Sequence, residues 1–354
     1  MKTLLLLLAM VLSAPACEVP VFRFALERWF SDPLVVEVVA DGPGGPEGEA
    51  GLRWLRNQMP GQAKANVTIR FTEPAHPGDG RVLMRLLQPA TRQPGNAPWW
   101  EGPMTGDNAR DLTGSPLREK IAAELLDGTS AVWIVVSQGD LEADARTMAA
   151  VEKGIDRAMR TLSLPKGVIE PQDAARKMAM FPNATMDDVL RTNLPLRIRF
   201  KALLLRHDDP REVILRDLLV SAAPARPPGE PLIAPIFGRG RVLPPAPASA
   251  VGEEGVFQGC AYLCGACACM VKQQNPGVDL PFRVDWDSHL KPHLVTIDRA
   301  TGGNPPEVVE YGKPPAAPAE SPQPEPARRL PLGMIIGCLL FVAIIAAVLW
   351  KRAP

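Results

Sequence analysis

What most limits this chain is where its prolines fall. Of 39 prolines in 354 residues, none lies within 117–164 or 248–275, while eight crowd into 224–247 and seven into 313–331. Proline locks φ and donates no backbone hydrogen bond, so helix interiors and central strands exclude it. Regular structure is therefore expected in the two proline-free blocks. The two dense runs are expected to connect or support them.

The first block carries clear signals. Ser115-Pro116 sets an N-cap with proline at the first helical position, for a helix that runs to about Leu126 and stops at Asp127-Gly128. Residues 131–136, Ala-Val-Trp-Ile-Val-Val, are a continuous apolar run, the mark of a strand covered on both faces. Asp140 is placed to cap a following helix whose Met148, Val151, Ile155, Met159 and Leu162 form one apolar stripe facing a sheet.

Outside that block the pattern continues. Residues 34–40 and 67–71 read as strands, with a helix over 47–59 between them. Residues 196–205 begin in alternation and end apolar, as a strand would. Asp209-Pro210-Arg211-Glu212 then reads as N-cap, proline at N1 and a capping-box Glu, opening a helix to about Val220. Strands alternating with helices predict an α/β fold: a layered sheet with helical cover over residues 17–223. Residues 224–247 read as a Pro-rich loop or boundary, and residues 248–312 as a Cys-rich segment completing the domain.

Both ends address a membrane. Residues 1–16 have a charged start, a short apolar run and an Ala14-Pro15-Ala16 cleavage site, which reads as a signal peptide. Cleavage there leaves Cys17 first, a lipidation candidate although Ala14 is a poor match to the usual lipobox; the alternative is a plain secreted N-terminus. Residues 313–331 read as a Pro-rich stalk or linker. Residues 332–350 are 19 positions without a charge, ~28 Å as a helix and enough to span a bilayer. Residues 351–354 then form a cytoplasmic tail, with the body outside. Pro324-Glu325-Pro326, the apolar run and the basic end also resemble a C-terminal sorting signal of exported bacterial proteins, in which the helix is removed. Arg328-Arg329 and Pro331 depart from its usual spacing.

Charge excludes one class of partner. Lys+Arg and Asp+Glu number 39 each, and a balanced surface is not built to hold the phosphate backbone of a nucleic acid.

Four cysteines, Cys260, Cys264, Cys267 and Cys269, fall within ten residues. Cys264-Gly-Ala-Cys267 at a helix N-terminus would have a lowered thiol pKa and exchange disulfides. Four thiolates would suit copper or zinc, although a zinc site normally uses two separated pairs. Cys260-x3-Cys264-x2-Cys267 matches the radical-SAM spacing but stands too late in an exported chain for that family. The plainest reading is structural disulfides in an oxidising compartment, or buried thiols, with no cofactor. Arg239 and Arg241 in Phe237-Gly-Arg-Gly-Arg241, with Lys272, are anion-binding candidates; the alternative is a strand edge with solvated arginines. Asp285-Trp-Asp287 is a weak calcium pair, and the four histidines show no partner motif.

The Phe237–Arg241 element, the cysteine cluster, Lys272 to Leu280 and the opening Cys17-Glu-Val-Pro-Val-Phe-Arg-Phe-Ala-Leu-Glu-Arg-Trp29 together resemble a family of exported bacterial proteins to which no activity is attached. The element order, with Leu194-Pro195 before a strand, also resembles the thioredoxin fold loosely. These features lead to the expectation of a single-pass envelope protein whose exported domain binds or assembles with other envelope proteins. The alternative is a redox or copper/zinc-binding role at the cysteines.

Overall fold

A computed structural model describes residues 17–40, 44–58, 65–73, 81–88, 97–181, 184–225, 227–267 and 272–295. The expected signal peptide, stalk and membrane span lie outside the described residues, as does Cys269. Among the described residues no helix is long and apolar enough to cross a membrane.

In chain order the elements open with β1 (Cys17–Pro20), α1 (Val21–Arg28), β2 (Leu34–Ala40), α2 (Gly45–Gln58), β3 (Val67–Thr72), β4 (Val82–Leu87) and β5 (Trp100–Pro103). Next come α3 (Gly106–Asp111), α4 (Pro116–Leu126), β6 (Ala131–Val136), α5 (Leu141–Thr161), α6 (Ala174–Met180), β7 (Phe200–Leu205) and α7 (Val213–Ala222). The chain continues through β8 (Leu232–Phe237), β9 (Arg241–Val242), β10 (Ala246–Pro247), α8 (Ala248–Cys264), β11 (Ala266–Cys267), β12 (Val278–Asp279) and α9 (Trp286–Leu290). The fold is mixed α/β.

β6 is the axis of the larger sheet, ordered β12-β9-β8-β6-β7, with β10 also on β8. It runs parallel to β7 and antiparallel to β8. Every residue of β6 is buried, as its unbroken apolar run requires. Val132, Ile134 and Val136 enter one core, with α4, α7 and the inner face of the second sheet. Ala131, Trp133 and Val135 enter another, with α1, α5 and α8. The second sheet, β3-β2-β4-β5, packs through Val36, Val38, Met84 and Leu86.

Local signals explain the helices. Ser115 Oγ accepts from the Arg118 backbone N–H, with Pro116 at N1, to open α4. Asp140 Oδ1 accepts from the N–H groups of Glu142 and Ala143 to open α5. The buried stripe of α5 includes Val151, Gly154, Ile155 and Ala158, while Met159 is exposed. A Cβ on Gly154 would sit 2.7 Å from the Glu253 carbonyl oxygen, so this glycine sets how closely α5 approaches α8.

Two expectations are corrected. Residues 224–247, read as a loop or boundary, contain β8, a wholly buried central strand. Pro235 is tolerated there because its carbonyl faces away from β6 and accepts from Leu243 N–H. Its missing donor therefore points into the gap between β9 and β10, and no β6 ladder bond is lost. Glu212 does not close a capping box on its own helix, which begins at Val213. Its carboxylate instead accepts from the Leu117 N–H at 2.6 Å, in the first turn of α4.

Candidate functional site

Residues of the Cys17–Trp29 block, Phe237 and Cys260, Cys264 and Cys267 share the core on the α1, α5 and α8 side of β6, and Val278–Asp279 joins the sheet beside β9. β1 pairs antiparallel with β11, and α1 follows it directly. The Phe237–Arg241 element is the turn from β8 into β9. Gly238 and Gly240 hold φ of +58° and +87°, values that favour glycine. A Cβ on Gly238 would lie 2.6 Å from Ala25 Cβ of α1, and one on Gly240 would lie 2.5 Å from the Phe282 ring. The turn is therefore pressed against the N-terminal helix on one side and the C-terminal segment on the other.

This geometry directs the arginines inward. Arg239 and Arg241 are buried, which corrects the reading of a strand edge with solvated arginines. Arg239 Nε donates to the Leu26 carbonyl, 2.8 Å away in the last turn of α1, and its Nη1 lies 2.8 Å from Asp287 Oδ1. Arg241 donates through Nε to Pro276 O, through Nη2 to Asn275 O and through Nη1 to Asp279 Oδ1 at 3.0 Å. Lys272 Nζ bonds Phe30 O at 2.6 Å, Asp32 Oδ1 at 2.8 Å and Asp279 Oδ2. Asp279 Oδ2 also accepts from the Asp32 N–H. The three anion-binding candidates thus meet the protein's own carboxylates and carbonyls. Two cations and two anions offset one another at the centre, which is how buried charge becomes tolerable. Asp285 of the expected calcium pair instead caps α9, accepting from the N–H of Ser288.

A second buried group was not anticipated. Arg23 and Glu27, one turn apart on α1, form an ion pair at 2.8 Å with both side chains almost wholly enclosed. Arg23 Nη2 donates to Thr192 Oγ1 and Leu194 O, and Glu27 accepts from Arg191 N–H and Thr192 Oγ1. A charged i,i+4 pair inside the apolar run Val-Phe-Arg-Phe-Ala-Leu-Glu was the available signal.

Cys17, Cys260, Cys264 and Cys267 are all buried in the core on the α1, α5 and α8 side of β6. No disulfide joins them. Cys264 is the last residue of α8, so the Cys264–Cys267 motif stands at a helix C-terminus, not at the N-terminus that a thioredoxin-like thiol requires. Burial pushes the Cys264 thiol up to about 12. Burial, aided by the neighbouring Cys264, pushes the Cys260 thiol higher still. Burial also raises Cys17, the lipidation candidate, whose Sγ–H donates to Asp187 O at 2.8 Å. A thioether on that sulfur would have no S–H to donate to Asp187 O. Among the described residues no group of three or more His, Cys, Asp or Glu side chains is arranged to hold a metal ion.

Beside β1 stands a small lobe with its own core of Ile169, Ala174 and Val189. Thr185 and Asp188 close a capping box on the 3-10 turn Met186–Asp188, and Asp188 Oδ1 also accepts from the Glu18 N–H. Arg28 Nη2 donates to Val189 O at 2.6 Å. On this lobe Met180, Phe181 and Met186 are exposed, at 61%, 55% and 39%.

No family model matches the chain, and no curated protein and no solved structure was found similar to it.

Proposed function

We propose that this is a membrane-anchored exported protein of the bacterial cell envelope that binds or assembles with other envelope proteins. The observation that carries the reading is the display of Met180, Phe181 and Met186 on a lobe pinned to β1 and α1. Flexible thioethers beside an aromatic ring make an adaptable apolar contact surface, and such exposure costs solubility unless a partner covers it. The export and anchor parts of the proposal rest on residues 1–16 and 332–350 of the sequence.

A redox or copper/zinc role is the second reading. It is favoured by the gathering of four cysteines in one core. Burial that holds Cys260 and Cys264 protonated speaks against it, because the thiolate is both nucleophile and metal ligand.

The test is site-specific photo-crosslinking from position 181 in the full chain, in intact membranes. The expected result is a discrete adduct with an envelope protein that is lost in a Met180→Asp/Met186→Asp variant of unchanged melting temperature. No adduct from position 181, or one that survives the double substitution, would overturn the contact surface. Retention of a chain lacking 332–350 in carbonate-washed membranes would overturn the anchor.

A further inference from the structure

Cys17 and Cys267 are Cα partners in the antiparallel β1·β11 pair, whose register shifts between Cys17 and the next partners, Pro20 and Ala266. Directly opposed residues in such a pair have Cα atoms about 4.5 or 5.5 Å apart, and both separations fall inside the ~4.4–6.8 Å range that a disulfide spans. Both side chains enter the same core, at 4% and 0% exposure. The pair they occupy is only two strands wide and two to four residues long, too little to be stable by itself. It leads directly into α1, whose first N–H, at Val21, donates to Gly265 O, whose Ala25 seats the Gly238 turn and whose Leu26 carbonyl holds Arg239.

From this we infer that Cys17 and Cys267 are joined by a cross-strand disulfide in the mature protein, which staples the N-terminal strand to the segment after α8. The inference rests on the export reading, because a compartment that supplies disulfide oxidants is needed. The oxidant is a dithiol–disulfide exchanger. One cysteine thiolate attacks its disulfide and expels one oxidant thiolate. The second cysteine thiolate then attacks the mixed disulfide and releases the other. The two protein thiols give up two protons and two electrons, and one oxidant disulfide becomes two thiols. Because both sulfurs are buried once β1 seats, the exchange precedes closure of the pair, and the finished bond is shielded from thiol reductants. Cys17 Sγ exchanges its hydrogen bond to Asp187 O for the covalent bond. One sulfur cannot carry both a thioether lipid and this bond, so the proposal also decides the fate of Cys17.

The experiment has two arms, each on the full chain in detergent. In the first, protein from membranes is alkylated, digested without reductant and mapped by mass spectrometry; a peptide linking Cys17 to Cys267 is expected. In the second, reduced protein is refolded from urea with a glutathione redox couple. The same link is expected, with a melting temperature several degrees above the reduced form. That gain should vanish in Cys267→Ser and persist in Cys260→Ser. A lipid on Cys17, or refolding that links Cys264 to Cys267 or leaves Cys17 alkylatable, overturns the proposal. A link that forms on refolding but is absent from membrane-derived protein overturns the export reading and leaves the pairing supported.

Discussion

Arg241 and Asp279 face each other across the antiparallel β9·β12 pair, with guanidinium Nη1 3.0 Å from carboxylate Oδ1 and both side chains almost completely enclosed. Lys272 reaches the other carboxylate oxygen, and Asp32 meets Lys272 from the N-terminal segment. One carboxylate therefore holds three stretches of chain together. Removing it leaves two buried cations to share the single carboxylate of Asp32, whereas removing a surface ion-pair partner leaves a cation that water solvates. Asp279→Ala should cost about 3–5 kcal/mol in urea unfolding. Glu142→Ala, which breaks an exposed pair with Arg146, should cost under about 0.5 kcal/mol. Equal costs for the two would show that the buried cluster does not hold the fold.

The glycines of the Arg239 turn give a second test. Gly238 and Gly229 both have positive φ, +58° and +72°, so alanine is strained at either. They differ in space: Gly238 meets Ala25 at 2.6 Å, and Gly229 meets nothing within 4 Å. Gly229→Ala should cost roughly 1 kcal/mol from backbone strain alone. Gly238→Ala should cost roughly 2–4 kcal/mol, because α1 must also move. Denaturant midpoints at constant m-value measure the difference, and matching costs would mean that α1 yields freely.

The sequence made the elements with local punctuation legible. α4 and α5 announce themselves through Ser115-Pro116 and Asp140, β6 through an unbroken apolar run, and β2 through an apolar run interrupted only by Glu37. β8 was hidden because proline density argued for a loop. Whether Pro235 is tolerated depends on which edge its missing N–H faces, and that is a fact of sheet pairing absent from local sequence. The candidate site was half legible. Arg239, Arg241 and Lys272 stood out by composition, but their partners Asp279, Asp32 and Leu26 O lie up to 240 residues away along the chain. Charge by itself does not distinguish a guanidinium waiting for a ligand from one already satisfied.

Glu212 should leave a mark on the pH dependence of stability. Burial is the largest influence on its carboxyl and raises it above its ordinary 4.5, against the lowering effect of hydrogen bonds from Ser115 and the Leu117 N–H. The folded state thus holds this proton more tightly than the unfolded state does. The associated stability is complete below about pH 4.5 and is lost as pH rises through the raised folded value. Glu212→Gln cannot ionise. Between pH 4 and pH 8 the wild-type melting temperature should therefore fall relative to that of the variant. Parallel profiles would show that Glu212 does not titrate as its burial dictates.

The reactivity of the α8 thiols separates a buried structural pair from a redox centre. With its pKa pushed from an ordinary 9.0 to about 12, Cys264 is almost wholly protonated at neutral pH. At pH 8 its thiolate fraction is roughly 10⁻⁴, about 10³-fold below that of a cysteine at the ordinary value, and Cys260 lies lower still. In the native protein both should react with an aromatic disulfide reagent at least about 10³-fold more slowly than in urea. The same raised values act on stability. Above pH 9.0 the unfolded thiols ionise while the folded ones stay protonated, so stability falls as pH climbs toward about 12. Cys260→Ala/Cys264→Ala should flatten that alkaline decline while lowering stability at pH 7, because two packed sulfurs are removed. Rapid labelling of Cys264 in the folded protein at pH 8 would instead place a reactive thiolate there and restore the redox reading.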